Sequence, residues 1–386
     1  MSIYSEYLNK HLNFDQVSNE RKKQLKRISS IRENEILVYA SDWARKPNTQ
    51  ILPQDLMPFK DQLNQVKGDS IDIILETPGG LAEVVEDMVH LLRKKFQRVS
   101  IIIPGTAKSA GTIFTMAADE ILMGNTSALG PIDAQILHNG KRFSADAFLD
   151  GLDEIKKEVQ TSGKLNAAYI PILQSISPAE IQHSKNAQDF SKTLVKKWLS
   201  EYKFRTWEKH SSTGKPVTKK EKQSRADTIA AALCKHSKWL THGKSIRLDD
   251  LEELRLRITN YETHPTLCDA IERYYTLLQM TFDMTGIYKL YETITSQIYT
   301  FTQQDAPIQS KPGQKNLNTA LIDFKCPKCK AITKIQAAFK KDIPLQKNVV
   351  PFPKDNIFVC PNCGTKTPLT PLRLDIESKT GKKIIT

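Results

Sequence analysis

The stretches of sequence that decide the fold are DIILETPGG (72–80), KSAGT (108–112) and ALGPID (128–133). The first stretch begins in an apolar run, and two further runs at 99–103 and 120–123 also have the length of buried strands. Apolar residues recur at helical spacing from Leu81 to Leu92, and small residues begin a second helix after Ser109. The order β-α-β-α-β predicts parallel strands that are buried on both faces, with crossovers that are almost always right-handed.

Ser109 lies between a predicted strand and the start of a predicted helix, where a side chain is well placed for chemistry. The first N–H groups of a helix lack partners and form the positive end of its dipole, so they suit an oxyanion that develops beside the hydroxyl. Gly79 and Gly80 have no side chains, and their backbone can therefore approach a substrate in the same space. The alternative is structural: Ser109 caps a helix whose small residues pack on the sheet.

Taken together, ETPGGL (76–81), AKSAGT (107–112) and LGPID (129–133) make the chain similar to the Clp protease/crotonase superfamily. More narrowly, it resembles the serine dehydrogenase proteinase family, which is related to signal peptide peptidases, over about residues 18–260. The resemblance implies an α/β fold in which repeated β-β-α units form a superhelical core with a parallel sheet and added helices. It also implies a serine peptidase with a triad in the chain order Ser–Asp–His.

The same resemblance implies the residues of the site. These are the nucleophile Ser109, the acid Asp133, the base His242, and an oxyanion hole made by backbone N–H groups of Gly79 or Gly80 and of Ala110. The chemistry agrees, because a serine hydroxyl needs a nearby base that a third group orients, and histidine titrates in the right range for that role.

Three other arrangements stay open from the sequence. A Ser–Lys dyad, as in signal peptide peptidases, would use Lys156, Lys157 or Lys164, although a lysine base has to be desolvated. His138 would be the base in the chain order of Clp proteases. Crotonase-fold hydratases and isomerases use backbone donors without a nucleophile, and a fold does not fix a function. Ser109 in its context favours a peptidase.

The composition predicts a globular chain without a membrane span. At 386 residues and 39% hydrophobic content, it can form one large and one small domain and is not wholly disordered. No apolar run approaches the roughly 18 residues that cross a bilayer, and the N-terminus does not resemble a signal peptide. We therefore expect a cytoplasmic protein that lacks the membrane anchor often found in the family.

Helical patterns dominate after Asp133. We expect helices at 144–161, 166–175 and 178–202 that cover the active site. The basic segment at 209–225 is predicted to be an exposed loop or a docking surface. An aromatic-rich helix is predicted at 265–299; it packs on the core or mediates self-association, and self-association is favoured. The predicted domains are a helical lead-in (1–33), a Clp-protease-like peptidase domain (34–262), a helical extension (263–302), a linker (303–319), a zinc ribbon (320–372) and a basic tail (373–386).

Four of the six cysteines form two Cys-x-x-Cys pairs near the C-terminus. They are Cys326 with Cys329 and Cys360 with Cys363. Four thiolates suffice for tetrahedral Zn²⁺ in a closed structural site, although the gap between the pairs exceeds the usual spacing and predicts an inserted loop. Redox dithiols or disulfides are the alternative, and a cytoplasmic location disfavours them.

Two signals for nucleic acids or nucleotides are weak. Gly243-Lys244-Ser245 resembles the end of a phosphate-binding loop, but that motif requires glycine where Lys238 stands, so we expect no nucleotide cofactor. The formal charge of +13 is dense in the predicted ribbon, yet few aromatic residues accompany it, so nucleic-acid binding is not favoured.

The sequence thus predicts a homo-oligomeric serine peptidase that acts on proteins or peptides and whose zinc ribbon recruits a substrate or a separate activating partner. The alternatives are the dyad peptidase and a non-catalytic scaffold or nucleic-acid-binding protein that works through the ribbon.

Overall fold

The computed structural model describes residues 2–138, 140–302, 318–340, 343–370, 372–373, 376–377 and 383–385, apart from the side chain of His138. The chain divides into two compact units, Met1–Ala306 and Pro307–Thr386. Residues 303–317 of the linker predicted at 303–319 lie outside the described residues, as does most of the basic tail predicted at 373–386. Within the ranges described, no helix is long and apolar enough to cross a membrane.

The first unit contains both helices and strands. Its strands are β1 (Glu35–Ser41), β2 (Ser70–Glu76), β3 (Arg98–Ile103), β4 (Thr106–Ala107), β5 (Glu120–Met123), β6 (Ala128–Leu129), β7 (Gln135–His138), β8 (Lys141–Ser144), β9 (Thr259–Asn260), β10 (Ile287–Thr293) and β11 (Gln297–Phe301). Its helices are α1 (Ile3–Asn9), α2 (Phe14–Arg32), α3 (Leu56–Gln65), α4 (Ala82–Lys95), α5 (Ala110–Thr115), α6 (Ala145–Ser162), α7 (Ile170–Gln174), α8 (Pro178–Trp198), α9 (Lys219–Cys234), α10 (His236–Trp239), α11 (Leu248–Glu253) and α12 (Pro265–Met284). Single helical turns lie at Pro53–Asp55, Ala167–Tyr169, Leu199–Lys203 and Tyr261–Thr263.

The main sheet has the order β11-β10-β1-β2-β3-β5-β9. Its strands from β1 to β9 pair in parallel, whereas β10 and β11 are antiparallel to their neighbours. This confirms the predicted β-α-β-α-β order, with α4 between β2 and β3 and α5 between β3 and β5. The fold is therefore α/β with a parallel sheet, as the sequence predicted.

Alternating side chains of the sheet enter two cores on its opposite faces. In β1, Leu37 and Tyr39 belong to the core that includes α4, whereas Ile36 and Val38 belong to the core that includes α2 and α12. The period of two along each strand, with apolar residues at both phases, explains why these strands are continuous apolar runs. A sheet covered on both faces leaves the ends of its strands for a site.

The helix predicted at 265–299 ends at Met284, so the helical extension predicted over 263–302 is wrong in its second half. Residues 287–293 form β10, which pairs with β1 inside the main sheet. Ile287 and Leu290 enter the core beside α12. Tyr274, Phe282 and Tyr291, which suggested self-association, are buried within the unit. The sequence suggests a helix here because the aromatic residues fit a helical face, while the pairing with β1 is non-local.

The basic segment predicted as a loop at 209–225 is a loop only in its first part, because α9 begins at Lys219. Thr218 and Glu221 form a capping box, which fixes the start of this helix. The helices predicted at 144–161 and 178–202 are confirmed as α6 and α8, the latter continued by the turn at Leu199–Lys203.

The second unit has a small β core of its own. Its strands are β12 (Thr319–Lys325), β13 (Ile332–Ala338), β14 (Val350–Pro351), β15 (Ile357–Val359) and β16 (Lys366–Pro368). β12, β13 and β14 form one sheet, and β15 pairs with β16. Ile335, Phe352 and Phe358 pack together with Cys326 and Cys360. The predicted small β unit with four cysteines is confirmed.

Candidate active site

Ser109 occupies a strained turn between β4 and α5. Its backbone angles are φ 52° and ψ −120°, a region that a residue with a side chain rarely adopts. The turn is held by hydrogen bonds from Lys108 N to Thr77 O at 3.1 Å and from Gly111 N to Lys108 O at 2.8 Å. The hydroxyl of Ser109 makes no hydrogen bond to any residue that the structure describes. A strained turn that presents a hydroxyl without a partner suits a nucleophile.

Gly79 has no side chain because none would fit. A Cβ atom built there would lie 2.5 Å from Lys108 O and 2.6 Å from Ser109 Cβ, and its φ of +99° is also unfavourable for other residues. The backbone of the Pro78-Gly79-Gly80 loop therefore lies directly against the turn of Ser109. The sequence prediction that this loop and the serine share one space is consistent with this packing.

Two backbone donors next to Ser109 lack partners in the described part of the chain. They are the N–H groups of Gly80 and Ala110, whereas the N–H of Gly79 donates to Thr77 Oγ1 at 3.2 Å. Gly80 is instead held through its neighbours, because Ile51 N donates to Gly79 O and Leu81 N donates to Ile51 O. Of the two glycines named as alternatives, Gly80 thus has the free donor.

Asp133 is tied to the nucleophile turn through the Gly-Pro-Ile-Asp segment. Thr112, on α5, donates its hydroxyl proton to one of two carbonyls, Ala107 O at 2.8 Å or Gly130 O at 2.9 Å, and its Oγ1 accepts from Gly130 N. A Cβ at Gly130 would contact Lys108, so this glycine lets the segment pass close to the turn. Asp133 follows three residues later and is buried.

Two histidines hydrogen-bond the carboxylate of Asp133. His242 Nδ1 lies 2.7 Å from Oδ1, and His236 Nδ1 lies 3.1 Å from Oδ2. Because an ionised carboxylate only accepts hydrogen bonds, Nδ1 of each ring donates to it. In the neutral ring, Nε2 is then left with a free lone pair, which is the form a general base requires.

Opposing effects act on the pKa of Asp133. Burial raises the pKa of this carboxyl, but hydrogen bonds from His242, Ser144 and His236 outweigh burial and bring the pKa below its usual value. Gln135 Nε2 donates to Oδ2 as well, at 3.1 Å. Asp133 is therefore ionised at neutral pH and holds both imidazoles in one orientation.

The segment of His242 is attached to the nucleophile turn at two points. Lys108 Nζ donates to Gly243 O at 2.7 Å. Leu129 and Ile246 exchange backbone hydrogen bonds of 2.9 Å in each direction. His242 thus lies in a loop whose next residue contacts the neighbour of Ser109, although Ser109 and His242 themselves are not hydrogen-bonded in the described chain. Hydrogen bonds of this kind are often absent before a substrate binds.

His236 is attached elsewhere, although it shares Asp133 with His242. Its backbone N–H donates to Asp146 Oδ2 at 2.7 Å, which ties it to the start of α6. His236 lies in no recognisable motif, so local sequence patterns do not mark it as a site residue. The only available signal is a second histidine six positions before His242.

The other candidate bases have different surroundings. Lys156, Lys157 and Lys164 are exposed, and the first two lie on α6. A lysine base has to be desolvated, whereas all three of these side chains lie in water. The backbone of His138 ends β7, but its side chain lies outside the described residues.

The four cysteines of the second unit converge as the sequence predicted. Their ligand atoms all lie within 4.8 Å of one another, with Sγ atoms 3.7 Å apart for Cys326 and Cys363 and 3.6 Å apart for Cys329 and Cys360. All four thiols are free in the structure, and both separations exceed the S–S distance of a disulfide, which is about 2.0 Å. Thiolates at the corners of a tetrahedron around a zinc ion would be about 3.8 Å apart. The cluster therefore fits a metal ion.

Residues 63–219 match a family model described as ClpP-like SDH-type serine proteinase. The match includes Ser109 and Asp133 and ends before His242. It confirms the resemblance that the motifs predicted, in the part of the chain that contains the nucleophile turn.

Two uncharacterized proteins of Methanocaldococcus jannaschii are similar over short segments. One is 42% identical over 66 residues, 17% of this chain and 23% of its own, and the other is 37% identical over 70 residues, 18% of this chain and 24% of its own. The chain thus spans less than a quarter of the length of these relatives.

Among solved structures, the 1510-N membrane-bound stomatin-specific protease is 25% identical over 31% of this chain and 62% of its own, with a TM-score of 0.23. ClpP1 from Listeria monocytogenes is 12% identical over 62% of this chain and 98% of its own, with a TM-score of 0.29. A probable enoyl-CoA hydratase/isomerase from Mycobacterium abscessus is 15% identical over 62% and 72%, with a TM-score of 0.28. Superpositions this weak support no conclusion about activity.

Proposed function

We propose that this chain, whose residues 63–219 match the ClpP-like SDH-type serine proteinases, is a peptidase with Ser109 as nucleophile, His242 as base and Asp133 as orienting acid. The observation that supports this most is the hydrogen bond from His242 to buried Asp133, in a loop that also contacts Lys108 beside Ser109. It supplies the base and the third group that a serine nucleophile requires.

The proposed reaction is hydrolysis through an acyl-enzyme. His242 Nε2 takes the proton of Ser109 as Oγ attacks the peptide carbonyl, and Asp133 stabilises the imidazolium that forms. The imidazolium then gives this proton to the leaving amine as the C–N bond breaks. Water then attacks the ester carbonyl and gives a proton to His242. As the resulting intermediate breaks its C–Oγ bond, the imidazolium returns that proton to Oγ, so the carboxylic acid leaves and both Ser109 and His242 are restored.

The backbone N–H groups of Gly80 and Ala110 are the proposed oxyanion donors. Both lack partners among the described residues, and the N–H of Ala110 begins α5. Gly79 has the supporting role of allowing the loop to lie against Ser109, because its own N–H is bonded to Thr77. Preorganised donors of this kind typically contribute about 10²–10³ in rate.

Between the two histidines, the contacts favour His242 as the base. Its loop is bonded to Lys108 and paired with Leu129, both next to the nucleophile turn, whereas His236 is bonded to the start of α6. His236 is then a positioning residue that fixes the second oxygen of Asp133.

Cleavage of a peptide library, read by mass spectrometry, tests the proposed activity. The wild type should cleave peptides, and Ser109→Ala should abolish cleavage. Ser200→Ala, in the helical turn Leu199–Lys203 that continues α8, is the matched control and should cleave as the wild type does. Equal cleavage by Ser109→Ala would contradict the proposal.

For the second unit, we propose a structural Zn²⁺ bound by Cys326, Cys329, Cys360 and Cys363. The donor set supports this, because four thiolates are a closed site for zinc. The unit would recruit a protein substrate or partner, and self-association of the chain also remains a proposal. Metal analysis of the purified protein should find one zinc per chain, and its absence together with unchanged folding of the unit would contradict the assignment.

A further inference from the structure

A cavity lies at the end of the main sheet opposite the nucleophile turn. Asp119 and Glu120, at the start of β5, and Thr259, at the start of β9, form part of its wall. Ser109 instead follows the carboxyl end of β3, and none of the proposed catalytic residues lines this cavity. Its volume is about 880 Å³, enough for a small organic molecule.

Cationic side chains dominate the wall of this cavity. They are Lys203, Lys209, Arg225, Arg255 and Arg257. In the described part of the chain, none of the five forms an ion pair with a carboxylate. Lys203 Nζ has only the backbone carbonyl of Asp119, at 3.4 Å. Five positive charges thus line one cavity, and no carboxylate within the described ranges forms an ion pair with any of them.

The acidic residues of the wall do not neutralise these cations. Asp119 is already bonded to Arg93 and Arg205, each at 2.7 Å. Glu120 is bonded to Arg32, also at 2.7 Å. Of the three carboxylates in the wall, only Glu208 has no ion pair with a residue that the structure describes. The cavity therefore keeps an excess of positive charge.

The surroundings of Lys203 also favour a bound anion. Burial lowers the pKa of its ammonium to about 8, and the positive charge of Arg257 lowers it too, while the carboxylates of Glu120 and Asp119 only partly oppose this shift. An anion in the cavity would oppose the shift further. The hydroxyl groups of Ser211 and Ser212 also line the wall and can donate hydrogen bonds to it.

We propose that this cavity binds a small molecule with two or more phosphate groups. Three guanidinium groups offer paired N–H donors that match phosphate oxygens, and two ammonium groups add charge. The inference does not depend on peptidase activity, because it uses a separate set of side chains. It also assigns the basic stretch at 209–225 to a ligand site, since Lys209 and Arg225 come from it.

Isothermal titration calorimetry of the full chain with pyrophosphate in 150 mM salt tests the proposal. At that ionic strength the Debye length is about 8 Å, so loose attraction of the anion to surface charges is screened. We expect saturable binding with one site per chain, and at least about tenfold weaker binding in Arg225→Gln/Arg257→Gln, as expected for loss of charge-assisted hydrogen bonds. Arg142→Gln, which removes an exposed arginine on β8, is the control and should bind as the wild type does.

Three outcomes would overturn the proposal. One is no saturable heat in the wild type. Another is an equal loss of affinity in the double variant and in Arg142→Gln, which would indicate general charge attraction. The third is binding of tricarballylate, a tricarboxylate, as tightly as pyrophosphate, which would make the site non-selective for phosphate. Thermal unfolding of the variants checks the fold, and a double variant that unfolds early is replaced by Arg257→Lys, which keeps charge but loses the paired donors.

Discussion

At the scale of single residues, the unexpected feature is that two histidines share Asp133. His242 and His236 each donate Nδ1–H to a different oxygen of one buried carboxylate. The resemblance of three short motifs and the segment around His242 to the serine dehydrogenase proteinase family pointed to Ser109, Asp133 and His242 as site residues, and of these the structure joins His242 and Asp133 by a hydrogen bond. His236 lies in no such motif, and its role depends on where α10 places it. Contacts between distant segments of this kind are not encoded in local patterns.

Replacing each histidine by glutamine should separate their roles. We expect His242→Gln to lower kcat/KM by about 10²–10⁴, as for loss of a general base. His236→Gln should lower kcat/KM far less. It should also move the acidic limb of the pH profile to higher pH, because Asp133 loses one of the hydrogen-bond donors that hold its pKa down. His90→Gln, an exposed histidine on α4, is the control. If His236→Gln were the more damaging change with an unshifted profile, the two roles would be exchanged.

Gly79→Ala should damage the site through crowding. Its Cβ would meet Lys108 O and Ser109 Cβ at 2.5 and 2.6 Å, so the nucleophile turn has to move. We expect a loss of stability of about 1–3 kcal/mol and a slower reaction of Ser109. Gly163→Ala has a similar positive φ but open space around it, so it measures backbone strain alone. Equal effects of the two changes on the reactivity of Ser109 would refute this explanation.

At the scale of elements, strand β2 ends at a buried acidic residue that lies just before the glycine loop. Glu76 ends this strand and accepts hydrogen bonds from Trp43 Nε1 and Thr106 N. Burial raises the pKa of Glu76 to about 7, although these hydrogen bonds oppose it. The protonated form is therefore favoured in the fold well above the usual range of a glutamic acid.

This pKa predicts a pH-dependent stability. Because the folded pKa exceeds the unfolded value of 4.5, the contribution of Glu76 is fully present below pH 4.5 and is lost as the pH rises through about 7. When the pH rises from 5 to 7.5, the free energy of unfolding should therefore fall more in the wild type than in Glu76→Gln. The difference between the two falls should be at most about 3 kcal/mol. Thermal unfolding followed by tryptophan fluorescence measures this, with Glu86→Gln on the exposed face of α4 as control. Parallel pH curves for wild type and Glu76→Gln would contradict it.

The elements also show where sequence patterns are sufficient and where they are not. Strands β2, β3 and β5 could be predicted because each is a short apolar run that is buried on both faces. β10 was missed because Tyr288 and Tyr291 fit a helical face equally well, and only its pairing with β1 settles its conformation. Register between distant strands is a tertiary property, so local periodicity does not determine it.

At the scale of the whole molecule, the two units have separate hydrophobic cores. All four tryptophans lie in the first unit, so their fluorescence reports on that unit alone. The cysteine cluster lies in the second unit. The stability of each unit can therefore be followed independently.

Removal of the metal ion that we propose for the cysteine cluster should unfold the second unit and spare the first. In Cys326→Ser, or after chelation, hydrogen exchange in β12 and β13 should become fast, because binding energy at a structural zinc site is folding energy. Tryptophan fluorescence should be unchanged. Cys268→Ser, outside the cluster, is the control. Slow exchange in β12 and β13 after complete removal of the metal would show that the site is not structural.

The central claim is that Ser109 is an activated nucleophile, and labelling with a fluorophosphonate probe tests it most directly. We expect the wild type and Lys156→Ala to be labelled, with the adduct at Ser109 on peptide mapping, and Ser109→Ala to be unlabelled. His242→Ala and Asp133→Asn should react far more slowly, because the base is lost or misoriented. Loss of labelling in Lys156→Ala alone would favour a Ser–Lys dyad, and an unlabelled wild type would contradict the account and leave a non-catalytic scaffold.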